Sequence, residues 1–526
     1  MAVEEFSMDD PNQLLEAASD FAYFPGVQND AVVKDFLDRF PLPVIISALQ
    51  TRGDVNGLAN ILVACLERIF KTNYGVSLIP QYLSFVQIGL KADSQAVKCL
   101  SCKTVYCLLE NLNDNAISAA QLIIDNNIYP LLLDCLLNGN EQVTTASIEA
   151  IKKLAGTLKG MEIIFSADHN GNTQLGNLLA QCSSLGRVRV LSLIVKLFSV
   201  SPHVASVVYN SKLLSLLEAE LSNTDDTLVT LSTLELIYEL AEIQHGTEFL
   251  SGTSLLQLLS SIISNAAMDP IIRSRAMIIS GRLLGKANIY KFIDKSCVRT
   301  IIFAIDGRLQ SESLDSNECE SALEALGQIG LSIPGAKLLL SGSPPAARHV
   351  IAAAFGGQAH SKQLAALHSL GYISGETGSE GNLILDESSE ESLRRMIYET
   401  AATSSKLTPS GLFLSVLQQD SEIRYAAYRI ISGLVTRPWC LMEICSKEEI
   451  IKKVTDPTTE TTKMGMEGRY NCCKAIHKAF VSSSKLSSNS ALAGIAAKLQ
   501  EAVSRGPYLT GKVQEAQPAV MTAERF

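Results

Sequence analysis

Aromatic and charged residues are both scarce in this sequence of 526 residues. Phe, Trp and Tyr together make up 6%, with a single Trp, while Asp, Glu, Lys and Arg make up 19%. The shortage of aromatic residues argues against an aromatic-rich β-sandwich and favours packed helices. Hydrophobic residues reach 47%, which excludes disorder of the whole chain. No segment contains about 18 consecutive uncharged apolar residues, so we predict no membrane-spanning helix.

Basic residues are outnumbered by acidic ones. Lys and Arg total 44 against 54 Asp and Glu, for a formal net charge of −10. Proteins that bind nucleic acid carry a basic footprint that this sequence lacks, so we predict a basic protein surface as partner and no nucleic acid. The acidic N-terminal segment also lacks the basic start and apolar centre of a signal peptide. We therefore expect a soluble intracellular protein in which the twelve cysteines are reduced and buried.

A recurring pattern organises the chain. It consists of a polar start, a helix with small and branched apolar residues, a break at Gly or Pro, and a Leu-rich helix. One large apolar residue near the end of the first helix marks the period, at Leu66, Leu108, Leu154, Leu197, Leu240, Leu283, Ile329, Ile373 and Leu434. Successive spacings are 42 to 46 residues except the last, which is 61, and a further step of 45 reaches Ala479. Armadillo and HEAT repeats have periods of about 40–47 residues.

The pattern predicts an all-α fold, an armadillo/HEAT-like α-solenoid of about ten to eleven helical repeats in a curved superhelix. A helical pair of this size cannot bury its apolar face alone, and stacking on its neighbours closes a continuous core. Gly and Pro serve as equivalent breaks within the repeats, because Gly permits a positive φ and Pro lacks an N–H. These breaks fall at Gly160, Gly246, Gly335, Pro202 and Pro438.

The long spacing of 61 residues indicates an insertion. We therefore predict a capping segment over residues 1–40, repeats over 41–374, a polar acidic loop over 375–390, repeats over 391–505 and a disordered tail over 506–526. A helix is expected to resume near Glu391. The loop is either solvated and without a role, or a docking loop whose serines gain further charge by phosphorylation.

No catalytic, cofactor-binding or metal-binding motif is convincing. Residues Gly281–Lys286 resemble a phosphate-binding loop, but one intervening residue is missing and the pattern lies inside a helix. Cys99, Cys102 and Cys107 share one helix without a second pair of ligands for zinc. The seven histidines form no metal-binding pair and no nucleophile–base arrangement. We predict no enzyme activity, no cofactor and no metal.

A solenoid without catalytic chemistry usually holds another protein on its concave surface. We expect the second helix of each pair to line that surface. Acidic residues on these helices are candidate contacts for a basic partner, and the alternative is a merely solvated face. The candidates are Asp134, Glu218, Glu220 and Asp306.

Several landmark segments resemble the 26S proteasome non-ATPase regulatory subunit 5 family. The most distinctive are GLVTRPWCLMEI at 433–444 and SRGPYLTGKV at 504–513. The likeness extends to EIQHGTEFL at 242–250, to GRVRVLSLIVKLFSVSP at 186–202 and to the stretch Ser392–Tyr428. These segments occur in the same order as in that family, and none of them is a catalytic signature.

The resemblance implies an assembly chaperone of the proteasome regulatory particle. Members of the family hold C-terminal domains of AAA-ATPase base subunits in a concave face and leave before the mature particle is complete. Such a protein would be monomeric when free and would reside in the cytoplasm, with the nucleus as a further location. The insertion at 375–390 and a longer N-terminus depart from the family pattern, so no individual binding residue is carried over.

Other functions are compatible with a helical-repeat fold. A transport adaptor of the importin-α kind would grip basic peptides with an array of Trp and Asn, and this chain has one Trp, Trp439. A general scaffold in signalling or ubiquitin pathways would normally carry a second domain. An enzyme would show activity or bound metal after stringent purification.

Overall fold

The computed structural model is helical throughout the residues that it describes, namely 11–51, 57–111, 116–166, 173–223, 226–243, 245–246, 248, 252–311, 315–357, 359–375, 385–483 and 492–508. Within those ranges no β-strand occurs, so the all-α fold class is confirmed. Nor does any helix there have the length and apolar character needed to cross a bilayer. The chain divides into two compact units, Met1–Thr253 and Ser254–Phe526.

The described part of the first unit consists of helices. In order these are α1 (Pro11–Tyr23), α2 (Asp30–Arg39), α3 (Leu42–Thr51), α4 (Leu58–Ile69), α5 (Asn73–Leu78), α6 (Leu83–Lys91), α7 (Gln95–Asn111), α8 (Ala116–Asp125), α9 (Ile128–Asn138), α10 (Glu141–Ala155), α11 (Leu158–Ile164), α12 (Gln174–Gln181), α13 (Ser184–Phe198), α14 (Pro202–Asn210), α15 (Leu214–Ser222) and α16 (Thr227–Glu242). A 3₁₀ helix at Ile79–Tyr82 connects α5 to α6.

The second unit has the same construction. Its helices are α17 (Leu255–Ser264), α18 (Pro270–Leu284), α19 (Lys295–Leu309), α20 (Ser316–Gly330), α21 (Ile333–Ser341), α22 (Ala347–Phe355), α23 (His360–Ser374), α24 (Glu387–Thr403), α25 (Pro409–Leu417), α26 (Ser421–Leu434), α27 (Pro438–Ser446), α28 (Glu448–Thr455), α29 (Lys463–Ser482) and α30 (Ala493–Arg505). Further 3₁₀ turns occur at Ala287–Lys291 and Pro457–Thr459.

A typical repeat contains three helices, whereas the periodicity predicted two. In the series α10–α11–α12, α13–α14–α15 and α20–α21–α22, a long helix is followed by two shorter ones. The predicted breaks mark the start of the first short helix. Gly160 lies within α11, and Pro202 and Pro438 are the first residues of α14 and α27. Proline suits this position because the first N–H groups of a helix have no partner within the helix.

The long helices form a ladder within each unit. In the first unit α4, α7, α10, α13 and α16 pack on one another in sequence, and in the second α18, α20, α23, α26 and α29 do so. The nine residues that mark the period are all at most 1% exposed, which confirms the predicted register from Leu66 to Leu434. The further step of 45 residues from Leu434 to Ala479 is wrong by one position, because Ala479 is half-exposed and its neighbour Phe480 is buried.

Glycine allows each short helix to start close against the long helix before it. Thr157 accepts a hydrogen bond from the Gly160 N–H at 3.0 Å and so caps α11. A Cβ at Gly160 would overlap the carbonyl oxygen of Leu154 and lie 2.6 Å from its carbonyl carbon. Gly75 and Gly335 meet the end of the preceding long helix in the same way. The Thr/Ser-x-x-Gly sequence therefore combines a helix cap with the space for a sharp change of direction.

A buried ion cluster joins three helices of the second unit. Glu318 on α20 accepts hydrogen bonds from Arg273 Nε at 2.8 Å, from Arg273 Nη2 at 3.0 Å and from Arg308 Nε at 2.9 Å. Arg273 also donates to the carbonyl of Ala266 at 3.2 Å, beyond the end of α17. Burial alone would raise the pKa of Glu318, but the two guanidinium groups outweigh it and lower that pKa. The carboxylate is therefore charged and fully paired inside the stack.

Two predicted irregular segments contain ordered structure. Helix α24 begins at Glu387, four residues before the expected start near Glu391, because Asp386 caps it by accepting from the Ser389 N–H at 3.0 Å. At the start of the predicted tail, Pro507 accepts a hydrogen bond from Arg469 at 3.2 Å, and the Tyr508 hydroxyl contacts Glu467. Residues 376–384 and 509–526 lie outside the described part of the chain.

Replacement of Gly160 by alanine should loosen the junction between α10 and α11. The new methyl group would force the backbone apart, and overpacking of this kind costs about 1–3 kcal/mol. Hydrogen exchange measured by mass spectrometry should show faster exchange over Glu141–Ile164. Gly307→Ala is the matched control, because a Cβ there meets nothing within 4 Å and should stabilise helix α19 slightly.

Glu318→Gln should destabilise the second unit strongly. It leaves two buried guanidinium groups without a counter-charge, and breaking a buried ion pair in this way costs about 3–5 kcal/mol. Thermal unfolding and local hydrogen exchange would measure the loss. Glu399→Gln, which removes an exposed pair with Arg395 at 3.6 Å, should change stability by about 0–1 kcal/mol. Equal effects of the two variants would contradict a structural role for the cluster.

Candidate protein-binding surface

Two of the four predicted acidic contacts remain accessible. Asp134 is exposed on α9 and accepts a hydrogen bond from the Asn138 amide one turn later, at 2.8 Å. Glu218 is half-buried on α15. Both lie on the third helix of their repeats, whereas the sequence placed the Leu-rich segments on the second helix of a pair. Their role in binding a basic partner remains a prediction.

Glu220 and Asp306 are engaged within the fold. Glu220 of α15 pairs with Arg187 of α13 at 3.2 Å. Asp306 is only 8% exposed and pairs with Arg348 at 2.9 Å and with His349 at 3.1 Å. The expectation of an exposed carboxylate at Asp306 is wrong, because α22 brings two basic side chains against α19. Spacing within one helix could not indicate this contact, since Arg348 lies 42 residues further along the chain.

The exposed face of the long helices in the first unit is lined by ion pairs that cross between repeats. Lys103 on α7 contacts Glu67 on α4 at 2.6 Å. Lys196 on α13 contacts Glu239 on α16, also at 2.6 Å. Pairs this exposed contribute little to stability, about 0–1 kcal/mol each. They leave a polar face of mixed charge, which sequence reasoning did not single out.

A cluster that we call the aromatic–arginine patch lies on α23 and α26 of the second unit. It comprises His368, Tyr372, Tyr425 and Arg429, all half-buried. Arg429 lies 5.5 Å above the centre of the Tyr372 ring, and its Nη1 lies 3.0 Å from His368 Nδ1. Tyrosine and arginine are the residue types that dominate binding energy at protein interfaces. The patch is therefore the strongest candidate contact surface that the sequence did not reveal.

The geometry of the patch fixes the chemical state of His368. A guanidinium group can only donate hydrogen bonds, so His368 Nδ1 accepts from Arg429 and the imidazole is neutral, with its proton on Nε2. Burial lowers the pKa of His368, and the positive charge of Arg429 lowers it further. Protonation of His368 would remove the acceptor and place two positive charges side by side.

Two features that stood out in the sequence come together in one groove. The acidic run that begins at Asp386 and the segment Arg437–Trp439 line a groove of about 1030 Å³. Glu390 pairs with Arg437 across it at 2.6 Å. Trp439 lies beside Tyr398, with ring centres 5.8 Å apart. The lining carries four carboxylates and two guanidinium groups, so the groove keeps a net negative charge.

Most of the cysteines are enclosed within the helical stack. All twelve cysteines are free thiols, and ten of them are buried. Burial raises the pKa of Cys65 to about 12 and that of Cys107 to about 11, which disfavours the reactive thiolate. Gly281 lies inside α18 and not in a loop, so the likeness to a phosphate-binding loop has no structural basis.

One arrangement in the described part of the chain has the spacing of metal ligands. His360 Nε2 lies 3.2 Å from Asp420 Oδ2 and 4.0 Å from Glu422 Oε2, and all three residues are exposed. Asp420 also caps α26 by accepting from the Glu422 N–H at 3.0 Å. The positive end of a helix disfavours a metal cation there, so the contacts are those of a polar cluster on the surface.

Comparison with known proteins decides the family. The model of a family described as proteasome non-ATPase 26S subunit matches residues 50–525. The chain belongs to this family. The 26S proteasome non-ATPase regulatory subunit 5 of Bos taurus is 24% identical over 424 residues, which cover 79% of this chain and 80% of that protein. The same subunit of Mus musculus is 22% identical, with 85% of each chain covered. The resemblance inferred from the landmark segments is confirmed.

Two solved structures show a distant likeness to this member of the non-ATPase subunit family. A designed armadillo repeat protein matches with a TM-score of 0.36 and 10% identity, over 49% of this chain and 98% of that one. Kap121p, in a crystal structure with Pho4p, matches with a TM-score of 0.48 and 13% identity, over 95% of this chain and 54% of that one.

Mild acidification should destabilise the second unit. The pKa of His368 and that of His349 are both lowered from 6.5 by burial, with Arg429 and Arg348 as the respective neighbouring charges. Below about pH 6.5 the unfolded chain binds more protons than the folded one, so stability falls as pH decreases through that range. Each histidine contributes on the order of 1 kcal/mol per unit of lowered pKa.

Thermal unfolding at pH 7.5 and pH 5.5 would measure this loss. His368→Gln keeps a hydrogen-bond acceptor but does not titrate, so it should reduce the difference between the two pH values. His203→Gln, at an exposed position of the first unit, is the control and should leave that difference unchanged. An unchanged difference in His368→Gln would contradict the neutral state inferred for His368.

Proposed function

We propose that the chain is an assembly chaperone of the 26S proteasome regulatory particle. It holds C-terminal domains of AAA-ATPase base subunits and is released before the mature particle forms. The observation that carries the proposal is the family match over residues 50–525, together with relatives of nearly equal length that are named as proteasome regulatory subunit 5. Stacked helical repeats present an extended surface, which suits a protein that acts by binding another protein.

The aromatic–arginine patch is the proposed primary contact with the ATPase domain. Its rings are held by Arg429, so little side-chain freedom is lost when a partner packs on them. Asp134 and Glu218 are proposed as secondary contacts that attract basic groups of the partner. An affinity in the micromolar to nanomolar range, about −8 to −12 kcal/mol, would permit both holding and later displacement. Release then follows from competition by other subunits.

The proposal also covers the oligomeric state, the cofactor requirement and the cellular location of the chain. The free chaperone is monomeric, needs no cofactor and is found in the cytoplasm and also in the nucleus. Its net charge of −10 suits a basic protein surface and opposes binding to nucleic acid. A general helical-repeat scaffold for signalling or ubiquitin pathways is the alternative that the following experiment distinguishes.

A pull-down with the tagged full chain from native cell extract, read by mass spectrometry, tests the function. We expect enrichment of a few base ATPase subunits without the mature core particle. Arg429→Ala should lower recovery of these subunits about tenfold, since hot-spot arginines contribute more than 1 kcal/mol. Arg395→Ala is the matched control, because Arg395 is exposed on α24 in the same unit and outside the patch.

Two outcomes would count against the proposal. Recovery of signalling or transport proteins, with no proteasome subunit, would reject the chaperone function and favour the general scaffold. Equal recovery of ATPase subunits by Arg429→Ala and Arg395→Ala would keep the function but remove the patch as its contact surface. Thermal unfolding of both variants shows whether a lower recovery reflects binding or folding.

A further inference from the structure

The N-terminal end of the first unit contains an apolar groove between α1 and α2. The groove has a volume of about 600 Å³. Phe21 and Phe36 stack at its base, with ring centres 4.4 Å apart and planes inclined by 29°. Phe24 and Val32 also line it and are exposed, at 59% and 42%. Large apolar side chains this exposed are unusual when several occur within one short segment.

The segment that carries Phe24 is held in place by one arginine. Arg68 on α4 donates to the carbonyl of Phe21 at 3.2 Å, of Ala22 at 2.9 Å, of Phe24 at 2.7 Å and of Gly26 at 2.5 Å. Two carbonyl groups in the last turn of α1 and two beyond its end are thereby satisfied by a single guanidinium group. The exposed aromatic ring is therefore presented by a fixed backbone, which lowers the entropy cost of binding to it.

The rim of the groove is acidic. Glu16 and Asp20 lie one turn apart on α1, and Asp35 lies on α2. Arg39 is the basic residue of the lining, and its guanidinium group rests 5.5 Å from the Phe40 ring. Within the described part of the chain these three carboxylates form no ion pair. An apolar floor with an unneutralised acidic rim is complementary to an amphipathic helix whose apolar stripe is flanked by Lys or Arg.

We propose that this groove docks a short basic amphipathic helix of another protein, as a site separate from the surface proposed for the ATPase domain. The thirteen residues of α1 span about 20 Å, which matches three to four turns of a bound helix. Phe24 inserts between the apolar residues of that helix. Glu16, Asp20 and Asp35 face its basic residues.

The charge of the chain itself argues against its own segments as occupants. Residues 1–10 carry four acidic and no basic side chains, and residues 509–526 carry two of each sign. Neither segment offers the positive charge that the rim requires. A symmetric pair of chains would place one acidic rim against the other, which like-charge repulsion opposes. A basic helix from a different protein is therefore the occupant that the groove favours.

The test uses the full chain and two fluorescein-labelled peptide probes, an 18-residue amphipathic helix of Leu and Lys and its counterpart with Glu in place of Lys. Fluorescence anisotropy should show that the Lys peptide binds at least tenfold more tightly than the Glu peptide. Phe24→Asp should weaken its binding roughly tenfold or more. Phe303→Asp is the matched control, because Phe303 is 76% exposed on α19 of the second unit and should leave the affinity unchanged.

Charge reversal and crosslinking complete the test. The double variant Asp20→Lys/Asp35→Lys should bind the Glu peptide better than the Lys peptide. Benzoylphenylalanine at position 24 should crosslink to the Lys peptide on irradiation, and peptide mapping identifies the product. Equal losses of affinity for the Lys peptide in Phe24→Asp and Phe303→Asp would overturn the proposal. Crosslinks from position 24 to residues 509–526 or to a second copy of the chain would also overturn it, if they persist when the Lys peptide is saturating. These results do not depend on whether proteasome subunits are recovered in the pull-down.

Discussion

The stack depends on how closely a short helix can start against the long helix that precedes it. At Gly160 the backbone of α11 lies against the last carbonyls of α10, in a space that a single methyl group would fill. Thr157 caps the short helix in the same turn, so the N–H of Gly160 is paired where the chain changes direction. Where the short helix starts this close, the long helix remains free to pack on the long helices of the neighbouring repeats. The ladders in both units follow from this arrangement.

Inside the ladders, two buried carboxylates are each paired with arginine. Glu318 lies between Arg273 and Arg308, and Glu460 accepts hydrogen bonds from Arg424 at 2.6 Å and from Tyr428 at 3.0 Å. Such clusters link different helices of the stack. Removing one partner strongly destabilises the fold, because it leaves a buried charge unpaired. With the buried charge neutralised, the accessible side chains determine what the protein can bind.

Those accessible side chains differ between the two units. In the first unit, ion pairs such as Lys103–Glu67 give a polar face, and the end of the stack presents the apolar groove around Phe24. In the second unit, Arg429 on α26 packs over Tyr372 and contacts His368, both on α23. A protein that grips a folded domain and later releases it benefits from a few strong contacts within a largely polar surface. Separate surfaces would also allow the chain to contact more than one partner.

The sequence by itself determined the all-α class, the period of the repeats and the burial of the marker residues from Leu66 to Leu434. These features follow from hydrophobic spacing within single helices and from contacts with adjacent repeats, both of which are local in the chain. The landmark segments also identified the family. Only the tertiary structure showed that a typical repeat contains a third helix, that Asp306 is buried beside Arg348, and that Arg429 reaches His368 across 61 residues. Burial and ion pairing at such positions depend on which side chains a neighbouring helix presents, and spacing within one helix does not specify that.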